Sequence, residues 1–234
     1  MRLLPDIPEG RPSFRLSADE VDTVIDLLCK AASETRMVVT DGMLEVPMTV
    51  HMRKRMRRLK SALGLTNLEI VGEFELLDLS NADPEVLGRI DVVLRFLHQF
   101  GDEEAYLGVE CKRVGSGDSA LNHRYVAEGV NRFATGKYGA GHHWGVMLGY
   151  VIKLPAATLV VDIDNRIRKA YGEDSRLESL TPHDASLDMK TGRVPQGSGG
   201  HIIRLIHVFV DMTPASQATT ESRAAAGPSM GRED

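Results

Sequence analysis

The sequence predicts an α/β fold in which a mixed central sheet is flanked by helices. Three observations lead there. Apolar residues recur at helical spacing in well-separated segments, β-branched and apolar runs lie between them, and from about residue 45 the order reads α-β-β-β-α-β. Elements in that order bury a sheet against helices.

Ser17-Ala-Asp-Glu20 is a capping-box pattern, and Val21, Val24, Ile25 and Leu28 follow at helical spacing, so a first helix is expected near 18–32. A second begins near Pro47, a residue tolerated in a first turn, and runs to about Leu63 before Gly64. Leu68 to Leu77 reads as a strand, with Asn81, Asp83 and Pro84 as turn residues after it. Arg89 to His98 and Ala105 to Val114 read as two more strands, joined closely enough through Gly101-Asp102 to form a hairpin. Gly115-Ser-Gly-Asp118 breaks the pattern. Val126, Val130 and Phe133 then predict a helix over about 119–136. Trp144 to Ile152 is strand-like, and Pro155 opens a helix with Leu159, Val160, Ile163 and Ile167 on its inner side. Residues 171–200 read as polar and irregular, and His201 to Met212 as a closing strand. The expected organisation is an N-terminal helical extension over 1–40, a domain over 41–212, and a disordered tail over 213–234 whose Ala, Ser, Thr, Gly and charge cannot bury a core.

Composition narrows the classes. The 234 residues carry 42% hydrophobic and 26% charged side chains, the balance of a globular chain. No apolar run approaches the roughly 20 residues that span a bilayer. No secretory signal is apparent in MRLLPDIPEGRP, so a cytoplasmic setting without membrane contact is expected. Cys29 and Cys111, far apart and in apolar patterns, have no metal-type spacing. A net charge of −5 does not advertise nucleic-acid binding, so any such role rests on local charge.

One local arrangement carries chemistry. Side chains two apart share a face of a strand, so Glu110 and Lys112 in YLGVECKRV point one way while Val109, Cys111 and Arg113 point the other. The preceding strand, RIDVVLRF, places Asp91 where a hairpin would set it across from Glu110. Adjacent carboxylates repel unless a cation or proton separates them. Hard oxygen donors of this kind suit magnesium or manganese. The plainer reading is a solvated sheet face with cross-strand ion pairs.

Asp91 followed by Glu110-Cys-Lys112 in the next strand, within that element order, resembles the PD-(D/E)XK nuclease superfamily and its restriction-endonuclease-like fold. The resemblance covers roughly 40–152, with the stretch around 201–212 available to complete the sheet. YVAEGVNRFATGKY (125–138) after the motif strengthens it, and it departs from the family's name where Ile90 precedes Asp91. It implies that Asp91 and Glu110 bind Mg2+ or Mn2+ through their side chains, with the backbone carbonyl of Cys111 as a further ligand. Lys112 would orient the attacking water or stabilise charge on the phosphate. A further Glu completes such sites, with Glu45 at the head of the second helix preferred over Glu73 in the first strand. The implied activity is hydrolysis of phosphodiester bonds, with DNA the expected substrate, in prokaryotic defence or DNA processing. A homodimer or a partner protein would suit such a role.

HMRKRMRRLK (51–60) offers Arg53 and Arg57 to phosphates, and the helix after the motif offers Arg132 and Lys137. Both stretches also read as solvated, salt-bridged helix faces. His142-His143 lacks further ligands at zinc spacing, His207 reads as a core histidine, and Cys111 has no partner for nucleophilic work. Two other functions stay open: a nucleic-acid-binding or complex-forming subunit that keeps the fold without cleaving, and a phosphoesterase acting on small molecules.

Overall fold

The computed structural model describes residues 12–78, 85–197 and 200–214. Ser17 caps the first helix as its sequence predicts: its hydroxyl accepts the Glu20 N–H at 3.2 Å, and Glu20 accepts the Ser17 N–H at 2.9 Å. Helix α1 spans Ala18–Arg36 and α2 spans Glu45–Ala62, starting two residues ahead of Pro47. Strands β1 (Leu68–Asp78), β2 (Glu85–Phe96) and β3 (Leu107–Gly115) follow. A helical passage then comprises α3 (Ser119–Arg124), a π-helical stretch (Tyr125–Val130) and α4 (Asn131–Ala134). The chain continues through β4 (Trp144–Lys153), α5 (Ala156–Tyr171), β5 (Glu178–Ser179), β6 (Asp188–Gln196) and β7 (His201–Asp211).

The seven strands form one mixed sheet in the order β1-β2-β3-β4-β7-β6-β5. The β3–β4 and β4–β7 pairs are parallel, and the others are antiparallel. Residues 171–200, expected to be irregular, contain β5 and β6, which corrects the sequence reading. In DMKTGRVPQ only Met189, Gly192, Val194 and Gln196 turn to buried surroundings, and Gly192 and Pro195 interrupt any strand signal. The turn residues Asn81, Asp83 and Pro84 lie outside the described residues, as does the expected tail from 215 onward.

Alternation sorts the core onto the two faces of the sheet. Val109, Cys111, Val146, Leu148, Val208 and Val210 pack with α1 and α2 on one face. Met147, Val151, Leu205 and Phe209 pack with Tyr125, Phe133 and Ile163 on the other. Helix α1, expected as an extension, places Val24, Leu27 and Leu28 in the same core as the sheet. Among the described residues no helix is long and apolar enough to cross a membrane.

The β1–β2 ribbon departs from regular alternation at one place. Leu68 and Ile70 join the α1/α2 side, whereas Phe74 and Leu76 pack against the opposite cluster. In β2, Val92 and Leu94 lie on the α1/α2 side and Ile90 lies opposite. Residues two apart should share a face, so the ribbon turns over between these positions. The register pairs Gly72 with Val92 and Phe74 with Ile90, leaving Glu73 and Asp91 at the turnover, where Glu73 adopts φ 51°. Arg53 of α2 braces it, donating to the Asp91 carbonyl at 3.3 Å and pairing with Glu73 at 3.1 Å.

Candidate functional site

Strands β2 and β3 pair only where Val92–Leu94 meets Leu107–Val109. Past Val109, β3 stays beside β4 while its edge toward β2 loses its ladder partners. Backbone groups left this way must find other partners. Side chains supply them. Asp91 Oδ2 accepts the Cys111 N–H at 2.8 Å, and Glu45 Oε2 accepts the Arg113 N–H at 2.9 Å. Lys112 Nζ donates to the Cys111 carbonyl at 3.1 Å. Three of the residues singled out in the sequence thus meet where two strands separate, and the start of α2 delivers Glu45 to the same place.

Glu110 is fully buried. Its Oε1 accepts from Lys112 Nζ and from Arg132 Nη1, each at 2.7 Å, while its buried Oε2 has no hydrogen-bond partner. Lys112 also reaches Glu45 Oε1 at 2.9 Å, so charges alternate along Glu45, Lys112, Glu110 and Arg132. Arg132 donates to the Tyr138 hydroxyl at 2.6 Å, and that hydroxyl donates to the carbonyl of Arg89. The π-helical turn sets the approach of this helix. A Cβ on Gly129 would fall 3.4 Å from Lys112 Cγ and 2.5 Å from Met147 Cε, so glycine lets the helix lie against the site strand. Tyr138→Phe strips Arg132 and the Arg89 carbonyl of a shared partner. A loss of about 1–3 kcal/mol is expected, seen as a lower denaturant midpoint at unchanged slope.

Burial, and then the neighbouring Asp91 charge, push Glu110 up to about 7 against the pull of Lys112 and Arg132. Burial also raises Asp91, opposed by Lys112 and the Cys111 N–H. For Lys112 burial works to lower the proton affinity, but Glu110 and then Glu45 overcome it and hold the ammonium above its ordinary range. Burial is thus the first cause of both carboxyl shifts, while for Lys112 the neighbouring carboxylates outweigh it.

Among the described residues, no group of three or more His, Cys, Asp or Glu side chains is placed to hold a metal ion. Asp91, Glu110 and the Cys111 carbonyl are hard oxygen donors of the kind that suit a divalent cation, and the unpartnered Glu110 Oε2 is the atom such a cation would satisfy. Glu45 is engaged with Lys112 and the Arg113 N–H, so here it orients the lysine. Glu73 is paired with Arg53 and lines a small cleft together with Val46, Arg89 and Asp91.

The four expected phosphate contacts fare differently. Arg132 enters the site through Glu110, and Arg53 is turned inward to the ribbon. Arg57 is exposed on α2, and Lys137 lies over Gly88 of β2. Tyr138 was not legible as a site residue, because nothing in its spacing marks a partner 49 residues away. His142 and His143 are buried near His201 without forming a metal group. Cys111 is buried in the α1/α2 core, as its alternation predicts. The chain matches no protein-family model, no curated protein and no solved structure.

Proposed function

We propose that the protein is a divalent-metal-dependent phosphodiester hydrolase, a nuclease with DNA as substrate, built on a restriction-endonuclease-like core. The observation that carries this reading is the meeting of Asp91, Glu110 and Lys112 at the parting of β2 and β3, with one buried carboxylate oxygen unpartnered. The run of α2, the antiparallel β1-β2-β3 meander, a helical crossover and β4 parallel to β3 supports the fold assignment. Asp91, Glu110 and the Cys111 carbonyl would hold Mg2+ or Mn2+. Bound there, the ion supplies Lewis-acid neutralisation of phosphate charge. Lys112, fixed by Glu45 and Glu110, keeps a positive charge beside the scissile group, where preorganisation is worth most. Arg132, a third exposed on its side chain, reaches solvent from the same pocket and can turn to a phosphate. Lys54 and Arg57, exposed on α2, add positive charge alongside.

The test is cleavage of linear and circular DNA by the purified chain with magnesium or manganese, compared with Asp91→Asn and Lys112→Ala. Asp91→Asn keeps an acceptor for the Cys111 N–H while removing the charge. Metal-dependent cleavage lost in both variants is the expected result, and equal activity in all three proteins overturns the assignment.

A second reading, a complex-forming or nucleic-acid-binding subunit that does not cleave, draws on the cations already seated on Glu110. It predicts DNA retention without cleavage in the presence of either metal, with activity appearing only beside a partner protein.

A further inference from the structure

The far side of the sheet carries a second arrangement that the proposed nuclease site does not use. Arg193 of β6 and Arg204 of β7 are direct cross-strand partners, and Trp144 of β4 is the next residue in the same row. All lie on the α1/α2 face of the sheet, whereas Glu110 and Lys112 project from the opposite face. Like charges directly opposite one another in an antiparallel ladder are unfavourable. Neither arginine has an ion-pair partner among the described residues, and Arg204 instead stacks over the Trp144 ring at 5.6 Å.

Buried polar side-chain atoms without partners are rare, and each calls for an explanation. Eight occur among the described residues, and three of them are Arg204 Nη1, Trp144 Nε1 and Thr191 Oγ1. Thr191 sits two residues from Arg193 on the same face of β6. These three atoms come from adjacent strands, and each carries a hydrogen to donate. Donors on adjacent strands, beside a repelling pair of guanidinium groups, have no hydrogen-bonded acceptor among the described residues. The arginines and Thr191 line a groove of about 840 Å³ that also takes in Tyr171 and Ile202, a size that admits a small ligand.

We propose that this row is a binding site for a phosphate monoester, with Arg193 and Arg204 gripping the phosphoryl group. Two guanidinium groups match the double negative charge of a monoester, and their planar forks suit oxyanions bidentately. Thr191 supplies a further donor, and Tyr171 and Ile202 offer apolar surface to whatever the phosphate is attached to. Burial, then the charge of Arg193, lowers the proton affinity of Arg204, and Glu178 opposes this. Three carboxylates also line the groove. Glu178, exposed on β5, and Asp174 make no ion pair with Arg193 or Arg204 among the described residues, and Glu173 is drawn away by Arg168 at 2.7 Å. Arg176 adds a third cation to the lining. The site is independent of the metal chemistry proposed for Asp91 and Glu110.

Trp144 is the chain's only tryptophan, so its emission reports on Arg204 directly. The full chain is titrated with inorganic phosphate, a nucleoside monophosphate, and an oligonucleotide with and without a 5′-phosphate, against potassium chloride at matched ionic strength. A saturable change in emission with phosphate or the monophosphate is expected, weakened at least tenfold in Arg193→Gln and in Arg204→Gln and unchanged in Asp91→Asn. Tighter binding of the monophosphate identifies a free nucleotide as the source, and tighter binding of the phosphorylated oligonucleotide identifies a polymer end. No saturable change beyond the chloride control overturns the site. So does wild-type affinity in Arg193→Gln, whose exposed side chain can be replaced without unfolding the protein.

Discussion

Lys112→Met is expected to destabilise the metal-free protein by about 3 kcal/mol at about pH 8, because removing one partner of a buried ion pair leaves the other charge uncompensated. Glu110 has no solvent to turn to, being fully buried, and only Arg132 would remain on its Oε1. The effect carries a pH signature. Glu110 is held up to about 7 with Lys112 present, and losing that cation moves it higher still. A carboxyl whose folded-state proton affinity is raised costs stability when it ionises and recovers it as pH falls through the folded value. The penalty of Lys112→Met should therefore shrink between about pH 8 and about pH 6. Denaturant midpoints for both proteins at both pH values check this. An equal penalty at the two would mean that the methionine's packing, and not the stranded charge, sets the cost.

Acid sensitivity is the second large effect. Burial lowers His142 to about 4 and His207 to about 3. His142 is wedged between Phe14 and Tyr106, with its Nδ1 unpartnered, and His207 hydrogen-bonds the buried Tyr125 hydroxyl at 2.9 Å. Both stay neutral in the fold and take up protons on unfolding once pH drops below the ordinary histidine value. Stability then falls with pH, by about 1.4 kcal/mol per unit for each group. Glu110 works in the opposite sense between about 7 and its ordinary value, since the folded state holds its proton longer. The net slope from these three groups is therefore about one proton, or about 1.4 kcal/mol per unit, from about pH 6 to about pH 4.5. It is roughly twice that down to about pH 4, where His142 protonates in the fold, and about one proton again from there to about pH 3. His143 and Asp91 shift in the same two opposing directions. His207→Asn should remove one proton from the slope, measured as stability against pH by chemical denaturation. An unchanged slope would mean that His207 is protonated in the fold.

Much of this was legible in the sequence, for identifiable reasons. The Ser17–Glu20 box, the apolar stripe of α1 and the alternation of Val109, Glu110, Cys111 and Lys112 are local patterns, and local patterns survive in a single chain. That Asp91 meets β3 followed from a short connection between two strands. What stayed hidden depends on distant partners. How far β2 and β3 remain paired is set by where α2 and the ribbon pull them apart, and no spacing encodes that. Strand β6 was missed because one of its faces is polar and its glycine and proline mimic a loop. The contact of Arg132 with Glu110 was missed because the helix read either as a phosphate-facing or as a solvated, salt-bridged surface, whereas the π-helical stretch just before Arg132 lets its guanidinium reach the buried carboxylate.

The turnover of the β1–β2 ribbon bears on how this centre could be transplanted. Asp91 occupies its place because the two strands exchange faces at Glu73 and because Arg53 of another element stitches that exchange. Copying Asp91, Glu110 and Lys112 onto a regular hairpin would restore the cross-strand ladder, return the Cys111 N–H to a backbone partner and close the space between the strands. The portable module is the irregular backbone with its arginine brace. The charged trio is a passenger on that distortion, and a designer would have to move the distortion first.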